Sequence, residues 1–173
     1  MYKKIFFTVL IIMLLSHMGR AQKQISRDTI LLAAREIINE SVYCGLVTVD
    51  STGQPQTRTM NPFPSNDQFI TWFATSRSSR KVKEIINNPR VSVYFANHSV
   101  AKGYVNISGK AEVIDDKDLL VTMKRDYWNG IPGWKDIFVL IKIIPERIDV
   151  INYRHGLNND PVTFKAPYVD LGK

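Results

Sequence analysis

The sequence predicts a mainly β (α+β) domain, an antiparallel barrel of about six strands with short helices packed at its ends. Three observations support this fold class. Segments with strand-like alternation recur along the chain, turn residues such as Asp50-Ser51-Thr52-Gly53 join neighbouring segments, and the helical patterns are few and short. The chain has 173 residues, 45% of them apolar, which fits one globular domain.

The first 21 residues have the layout of a secretory signal peptide. Lys3 and Lys4 precede an almost continuous apolar run over residues 5–15, and Gly19-Arg20-Ala21 places small residues where a signal peptidase reads them. The run is too short to span a bilayer comfortably. We therefore expect cleavage after Ala21 and an exported domain of residues 22–173, periplasmic or secreted, without a stable membrane anchor. The alternative is an uncleaved N-terminal anchor.

The charge balance does not favour a nucleic-acid partner. The formal charge of the chain is +7, and removal of residues 1–21 takes away three cations and no acid, which leaves +4. The sequence contains no stripe of Lys and Arg with interleaved aromatic residues. Cys44 is the one cysteine and lies in an apolar strand pattern, so we expect a buried structural thiol and no disulfide within the chain.

Periodicity and turn signals define the elements of the first half of the chain. Ser26 can cap a helix whose apolar residues recur at helical spacing, and Gly53 supplies the positive φ that a hairpin turn needs. Val82, Ile85 and Ile86 give a shorter helix its apolar stripe. The predicted elements are a helix over 26–40, strands over 42–50, 54–61 and 68–75, and a helix over 79–87.

The second half of the chain continues the series of strands. From Ile137 to Ile144 only Lys142 is polar, so this strand should be covered on both faces, with a bend at Pro145. The tail from Arg154 onward has no periodicity and should wrap over the barrel or a partner subunit as irregular, packed chain. The predicted elements are strands over 91–97 and 103–114, a helix from 115 to about 127, and a strand over 136–152.

Three cations, Arg77, Arg80 and Lys81, stand where the third strand ends and the second helix begins. A helix N-terminus carries partial positive charge, so each cation there costs a few tenths to about 1 kcal/mol unless an anion compensates it. A phosphate monoester could accept hydrogen bonds from backbone N–H groups, from the hydroxyl of Ser78 or Ser79, and from Arg80 and Lys81. Arg58, in the second strand, is either exposed or directed at the same anion. The alternative is a solvated basic turn.

Several segments, in this order, resemble the pyridoxamine 5′-phosphate oxidase superfamily. They are 54–60 (QPQTRTM), 73–75 (FAT), 79–81 (SRK), 87–93 (NNPRVSV) and 109–112 (GKAE). The similarity extends from about residue 42 to about residue 118, about half of the mature chain. The resemblance implies a split β-barrel of the general-stress-protein-like branch. Such proteins are usually homodimers with two FMN molecules at the interface.

The resemblance also implies which residues contact the cofactor. The positions that hold the FMN phosphate are Arg58, Ser79, Arg80 and Lys81. Thr59 and Met60 would lie along the flavin through their backbone, Thr75 would meet the ribityl chain or the ring edge, and Tyr104 stands where the oxidase has a Gln.

Two departures from the oxidase argue against vitamin B6 oxidation. Phe63 replaces the Lys that follows the Arg-bearing strand, and the C-terminal Arg-x-His substrate motif has no clear counterpart, because Arg154 and His155 are adjacent. The resemblance therefore implies a flavin-dependent oxidoreductase with an unknown substrate and electron donor. Catalytic residues are not predicted, and His155 is interpreted as an ordinary loop histidine.

Two further functions remain open on the sequence. One is a module that binds or stores flavin, haem or a related ligand without turnover, and the other is an interaction domain whose cofactor site has decayed. The sequence has no metal-ligand spacing of His or Cys, no P-loop and no nucleophile elbow, so a metal site, a nucleotide triphosphatase and a hydrolase are not expected. Trp128 and Trp134 are interpreted as core residues.

Overall fold

A computed structural model describes residues 25–97 and 99–172. The predicted signal peptide, residues 1–21, lies outside these ranges, so its cleavage stays a prediction. Within the described ranges, none of the helices has both the length and the apolar character needed to cross a membrane.

The described chain forms one seven-stranded antiparallel sheet flanked by short helices. The α-helices are α1 (Arg27–Glu40), α2 (Arg80–Asn87), α3 (Lys117–Thr122) and α4 (Trp134–Ile137). The strands are β1 (Cys44–Val49), β2 (Pro55–Met60), β3 (Thr71–Ser76), β4 (Arg90–Phe95), β5 (Gly103–Ile114), β6 (Phe138–Asn152) and β7 (Tyr168–Asp170). Short 3₁₀ helices cover Asp126–Gly130 and Tyr153–His155.

The strand order is β2-β1-β4-β5-β6-β3, with β7 on the second half of β6. The register of β5 and β6 shifts between Ser108 and Gly109, and Gly109 pairs with Pro145, where the sequence predicts a bend. Such an irregularity increases the local twist, and the first half of β6 pairs with β3 on its other side. A Cβ at Gly109 would lie 2.2 Å from the carbonyl oxygen of Ile144, so glycine is required there. The result is the half-barrel sheet of a split β-barrel, which confirms the predicted fold class.

Strand alternation places one face of the sheet in the core. β4 buries Val91, Val93 and Phe95, and β1 buries alternate residues in the same way. Helix α1 begins as predicted, because Ser26 accepts a hydrogen bond from the amide of Thr29, and its apolar stripe packs across β5, β6 and β7. A second core contains Trp128, which is 1% exposed. Its predicted role as a core residue is confirmed.

Three local predictions were wrong. The third helix is shorter than the predicted 115–127. It begins later because Asp116 caps it by accepting hydrogen bonds from the amides of Asp118 and Leu119, and it ends before Met123. Ile86 is 68% exposed, because α2 has only two turns and buries Glu84 in place of a third apolar residue. The tail is mostly irregular, as predicted, but the prediction missed β7, a strand too short to give a periodic signal, and Phe164 is 76% exposed in the described chain.

Cys44 is expected to resist alkylation in the folded protein. Its side chain is buried, and burial raises the pKa of its thiol to about 12, so almost no thiolate forms at about pH 8. Iodoacetamide should therefore modify the native protein slowly and the denaturant-unfolded protein rapidly, as measured by intact mass over time. Equal rates in the two states would contradict the burial of this thiol.

A cluster of charges fastens α1 to the barrel. The carboxylate of Glu36 lies 3.3 Å from the ammonium of buried Lys102, 2.9 Å from Arg154 and 2.6 Å from His155 Nε2. The hydrogen bond with His155 is the main cause that lowers the pKa of Glu36 to about 2; burial opposes this effect, and Lys102 and Arg154 add to it. In the described structure His155 thus joins two elements, as a structural residue would.

Replacing Glu36 with Gln should make the stability of the folded protein depend less on pH in the acid range. A carboxyl whose pKa is lower in the folded state stabilises that state above its unfolded pKa and loses this effect as the pH falls. For Glu36 the window runs from 4.5 down to about 2. The thermal midpoint of the wild type should therefore fall more steeply across this window than that of Glu36→Gln, with Glu112→Gln at an exposed position as the control. Parallel profiles for wild type and Glu36→Gln would contradict this role.

Candidate functional site

Strand register directs Arg58 toward the core side of β2. Arg58 is paired with Leu46 of β1, which is fully buried, and paired residues of neighbouring strands point to the same face. The neighbours of Arg58 in the strand, Thr57 and Thr59, are exposed on the other face. The side chain of Arg58 is only 18% exposed. It is therefore not a solvated surface cation.

The start of α2 offers unsatisfied backbone donors. Ser79 is the N-cap residue, but its side chain makes no capping hydrogen bond. No acceptor for the amides of Arg80 and Lys81 is found among residues 25–97 and 99–172. Open amides and the helix dipole together favour an anion at this position.

Two of the predicted phosphate-binding cations meet at one buried carboxylate. Arg58 Nη2 donates to Glu84 Oε2 at 2.8 Å, and Arg80 Nε lies 3.0 Å from Glu84 Oε1. Thr48 Oγ1 donates to Glu84 Oε2 and accepts from Arg58 Nη1. The structure therefore brings residues 58 and 80 together from two separate segments, as predicted.

Lys81 lies beside the same group. Its ammonium donates to Thr75 Oγ1 at 2.9 Å, and Thr75 Oγ1 in turn is 3.4 Å from Ser79 Oγ. Burial lowers the pKa of Lys81, and the positive charge of Arg58 lowers it further, against a smaller opposing effect of Glu84. Lys81 thus lies in an environment with excess positive charge, which an anion would relieve. Thr75, Ser79 and Lys81 are contiguous in space, as predicted.

Glu84 stays ionised within this group. Burial by itself would raise the pKa of Glu84, but hydrogen bonds from Thr48 and Arg58 and the charges of Arg58 and Arg80 outweigh it and lower the pKa. Its Oε1 is buried and accepts no hydrogen bond in the described chain, and it forms an ion pair with Arg80 Nε at 3.0 Å. Three cations and one carboxylate leave the group with two positive charges in excess. We call Arg58, Arg80, Lys81 and Glu84 the cation cluster.

Thr59 and Met60 lie at the end of an edge strand. β2 is paired with β1 on one side and is the terminal strand of the described sheet. An edge strand leaves alternate amides and carbonyls free on its outer side. The predicted backbone contacts of these two residues with a flavin are therefore sterically open, and they stay a prediction.

Tyr104 lies apart from the cation cluster. It is on the outward face of β5, where its ring stacks on Tyr94 with centroids 5.4 Å apart. Together with Arg147 and Asp149 it lines a cavity of about 450 Å³, to which none of the other predicted cofactor-binding residues contributes. Burial raises the pKa of Tyr104, with smaller contributions from Asp149 and Tyr94. Within one described chain, Tyr104 and the predicted phosphate-binding residues do not line a common cavity.

A second cavity, of about 620 Å³, opens beyond the end of β2. The residues that line it include Phe63, Ser65, Lys124 and Arg125, and its described lining contains no Asp or Glu. The guanidinium of Arg125 lies 4.3 Å from the centroid of the Phe63 ring, and its Nη2 donates to the carbonyl of Pro62 at 2.7 Å. The resemblance indicates that Phe63 stands where the oxidase has a Lys. In this structure Arg125 places a cation next to that position.

Sequence reasoning missed three residues of the site: Thr48, Gln56 and Glu84. Gln56 accepts a hydrogen bond from Arg80 Nη2 at 3.1 Å. Glu84 follows Arg80 at the i,i+4 spacing that joins opposite charges on a helix, which is the one local signal available. The contribution of Thr48 depends on the packing of α2 against β1 and has no local signal. Within the described ranges no group of three or more His, Cys, Asp or Glu residues could hold a metal ion.

Comparison with known proteins identifies the family of this chain. The sequence profile of the pyridoxamine 5′-phosphate oxidase family matches residues 31–152. General stress protein 26 of Bacillus subtilis is 29% identical over 123 residues, covering 68% of this chain and 84% of that protein. A pyridoxine/pyridoxamine 5′-phosphate oxidase of Shewanella halifaxensis is 33% identical over 98 residues, covering 56% of this chain. This chain spans only 45% of the length of that oxidase and 39% of that of the Shewanella woodyi oxidase.

Solved structures show the same fold. General stress protein 26 from Bacillus anthracis superposes with a TM-score of 0.63 at 24% identity, covering 82% of this chain and 98% of that chain. A haem-binding protein from Mycobacterium smegmatis gives a TM-score of 0.61 at 14% identity, covering 84% of this chain and 60% of that chain. The matched profile spans β1 to β6 and includes both segments of the cation cluster. On fold and sequence together, this chain belongs to the pyridoxamine 5′-phosphate oxidase family.

Proposed function

We propose that this protein binds FMN and acts as a flavin-dependent oxidoreductase with a substrate other than a B6 vitamer. The observation that carries the proposal is the convergence of Arg58 from β2 with Arg80 and Lys81 from α2, beside open amides at a helix start. These donors and charges suit a phosphate monoester. The family assignment supports flavin as the group that bears the phosphate.

The residues present fit such a group. The cation cluster contains three cations, and its one carboxylate neutralises one of them. The two positive charges that remain equal the charge of a phosphate dianion with the opposite sign. Ser79 Oγ is free of a capping role and can donate to a phosphate oxygen. The edge of β2 at Thr59 and Met60 leads from this cluster toward the 620 Å³ cavity. These residues would hold the phosphate at one end and leave room for a ring system and a substrate at the other.

FMN supplies the redox chemistry of such a protein by exchanging a hydride with a bound substrate. The chain supplies position and charge. Arg58, Arg80 and Lys81 would fix the phosphate, and the backbone of Thr59 and Met60 would orient the ring. Thr75, already held by Lys81, would present its hydroxyl to the ribityl chain or the ring edge.

We further propose that the functional unit is a homodimer with the cofactor at its interface. Tyr104 and the cation cluster lie on separate surfaces of one chain. A second copy could then supply its own Tyr104 to the flavin that the cation cluster of the first copy holds. The half-exposed outer face of β4 and β5, with Tyr94 and Tyr104, is where such a copy would pack. We also propose that the mature protein is exported, on the basis of the N-terminal pattern.

A second candidate is binding of flavin or haem without turnover. It is favoured by the lack of a clear counterpart of the oxidase substrate motif, since Arg154 and His155 are adjacent in sequence and both pair with Glu36. The haem-binding protein among the fold neighbours makes haem a ligand to test. Arg125 and Lys124 line the adjoining cavity and would offer positive charge to a ligand there.

The test is to express residues 22–173, purify the protein, and record its absorbance spectrum and the mass of any released small molecule. We expect a flavin spectrum, the mass of FMN, and bleaching on anaerobic reduction followed by turnover with an added electron acceptor. A flavin that binds but never turns over would support the second candidate, and a haem spectrum would replace FMN with haem. Protein that binds no flavin after loading with excess FMN would contradict the proposed function.

A further inference from the structure

We propose that Glu84 is a built-in counter-anion of the phosphate site, which holds Arg58 and Arg80 ready for a ligand and limits the affinity of the site for anions. This inference rests on the proposed function and extends it. It names a residue that sets how strongly the site attracts a phosphate and assigns the site to a dianionic phosphate monoester.

The geometry of Glu84 shows its relation to both cations. Its carboxylate contacts Arg58 through one oxygen and Arg80 through the other, so a single anion spans the two segments of the cluster. Its side chain is 4% exposed, and Thr48 fixes the oxygen that Arg58 also contacts. Without an anion in this place, the guanidinium of Arg58, whose side chain is 18% exposed, would lie largely desolvated beside two further cations. Glu84 therefore stabilises the arrangement before any ligand binds.

The same charge opposes an incoming anion. A phosphate that reaches Arg58 and Arg80 comes close to the carboxylate that already neutralises them. Replacing Glu84 with Gln removes this repulsion and raises the excess charge of the cluster from two to three. The amide oxygen of Gln can still accept from Thr48 or Arg58, so the shape of the site is kept. The proposal therefore predicts two opposite effects of Glu84→Gln: a less stable ligand-free protein and a tighter anion site.

A purely structural role predicts something different. If Glu84 served only to fill and tie the core, its loss would lower stability by the same amount with and without phosphate. The counter-anion role predicts that added phosphate takes over part of the missing charge. The dependence of the stability loss on phosphate thus separates the two roles.

The experiment measures thermal midpoints of wild type, Glu84→Gln, Glu84→Asp and Glu146→Gln without FMN, in inorganic phosphate and in chloride at matched ionic strength, so that screening is equal. Glu84→Asp keeps the charge and loses reach. Glu146→Gln removes a carboxylate from an exposed ion pair with Lys110. We expect Glu84→Gln to have a lower midpoint than wild type in chloride and a larger rise in phosphate, corresponding to about tenfold tighter phosphate binding. Glu84→Asp and Glu146→Gln should show the wild-type rise.

Equal phosphate-induced rises in wild type and Glu84→Gln would overturn the proposal, and so would a wild-type midpoint for Glu84→Gln in chloride. If Glu84→Gln is recovered only in phosphate buffer, the proposal is supported. If it folds in neither buffer, the pKa of the Glu84 carboxyl in the wild type, followed by ¹³C NMR, decides: sulfate should raise it, and an unchanged pKa overturns the proposal. Failure of FMN to bind would refute the proposed function but leave these phosphate measurements, made without flavin, to judge Glu84.

Discussion

Replacing Arg58 with Met should lower the free energy of unfolding by about 3 kcal/mol, the lower end of the range for breaking a buried ion pair, since Arg58 keeps some solvent contact. The change leaves the Glu84 carboxylate, 4% exposed, without its closest cation and removes a donor from Thr48. Met preserves much of the apolar contact of the Arg stem. Urea unfolding of the flavin-free protein measures the change directly.

Two controls separate charge from packing in this prediction. Arg90→Met removes an exposed cation at the start of β4 and should change stability by no more than about 0.5 kcal/mol. The double variant Arg58→Met with Glu84→Leu replaces the buried pair by apolar groups and should recover part of the lost stability, since the buried hydroxyl of Thr48 loses both of its partners. A wild-type unfolding curve for Arg58→Met, or a double variant less stable than the single one, would contradict the buried pair.

The double replacement of Arg80 and Lys81 by Ala should abolish the stabilisation of the protein by FMN. Each cation would make a charge-assisted hydrogen bond worth about 1.5–3 kcal/mol to the phosphate. Their combined loss corresponds to a Kd about 100 to 10,000 times higher. Thermal unfolding with and without FMN, and titration of flavin fluorescence, both report this change.

The FMN-induced stabilisation should depend on the positions of the cations and not on the total charge of the helix. Lys83 is an exposed cation on the same helix, so Lys83→Ala is the matched control and should keep the FMN-induced shift. A decayed site in an interaction domain predicts instead that the double variant and wild type behave alike with and without FMN. That outcome would favour the interaction domain over cofactor binding.

Long regular patterns predicted the fold well, and short or long-range features did not. The bounds of β5 agree with the prediction because twelve residues of alternation leave little choice of register. Helix α1 agrees because a cap and an apolar stripe mark it. The third helix was extended too far, because a capping Asp116 and a following 3₁₀ turn look like one helical segment in sequence. β7 is held by pairing with β6, which no local pattern reveals.

Some residues of the candidate site can likewise be predicted from a local pattern, and others depend on contacts between distant segments. The Ser79-Arg80-Lys81 segment could be identified locally, from cations placed against a helix dipole. The proximity of Arg58 came from the family resemblance, because it depends on the register of β2 with β1 and on the packing of α2 against β1. In sequence Glu84 resembles an ordinary exposed helix residue, because its burial depends on the packing of α2 against β1, which no local pattern reveals. The separation of Tyr104 from the cluster is a property of the sheet order.

The most direct test of the central claim compares the affinities of the ligand-free protein for FMN and for riboflavin, which carries the same ring and ribityl chain without the phosphate. If Arg58, Arg80 and Lys81 gather to bind that phosphate, FMN should bind at least about 100 times more tightly, and the difference should shrink as salt is added. Riboflavin binding within about threefold of FMN would show that the cation cluster is not a phosphate site, and would contradict the role proposed for these three cations.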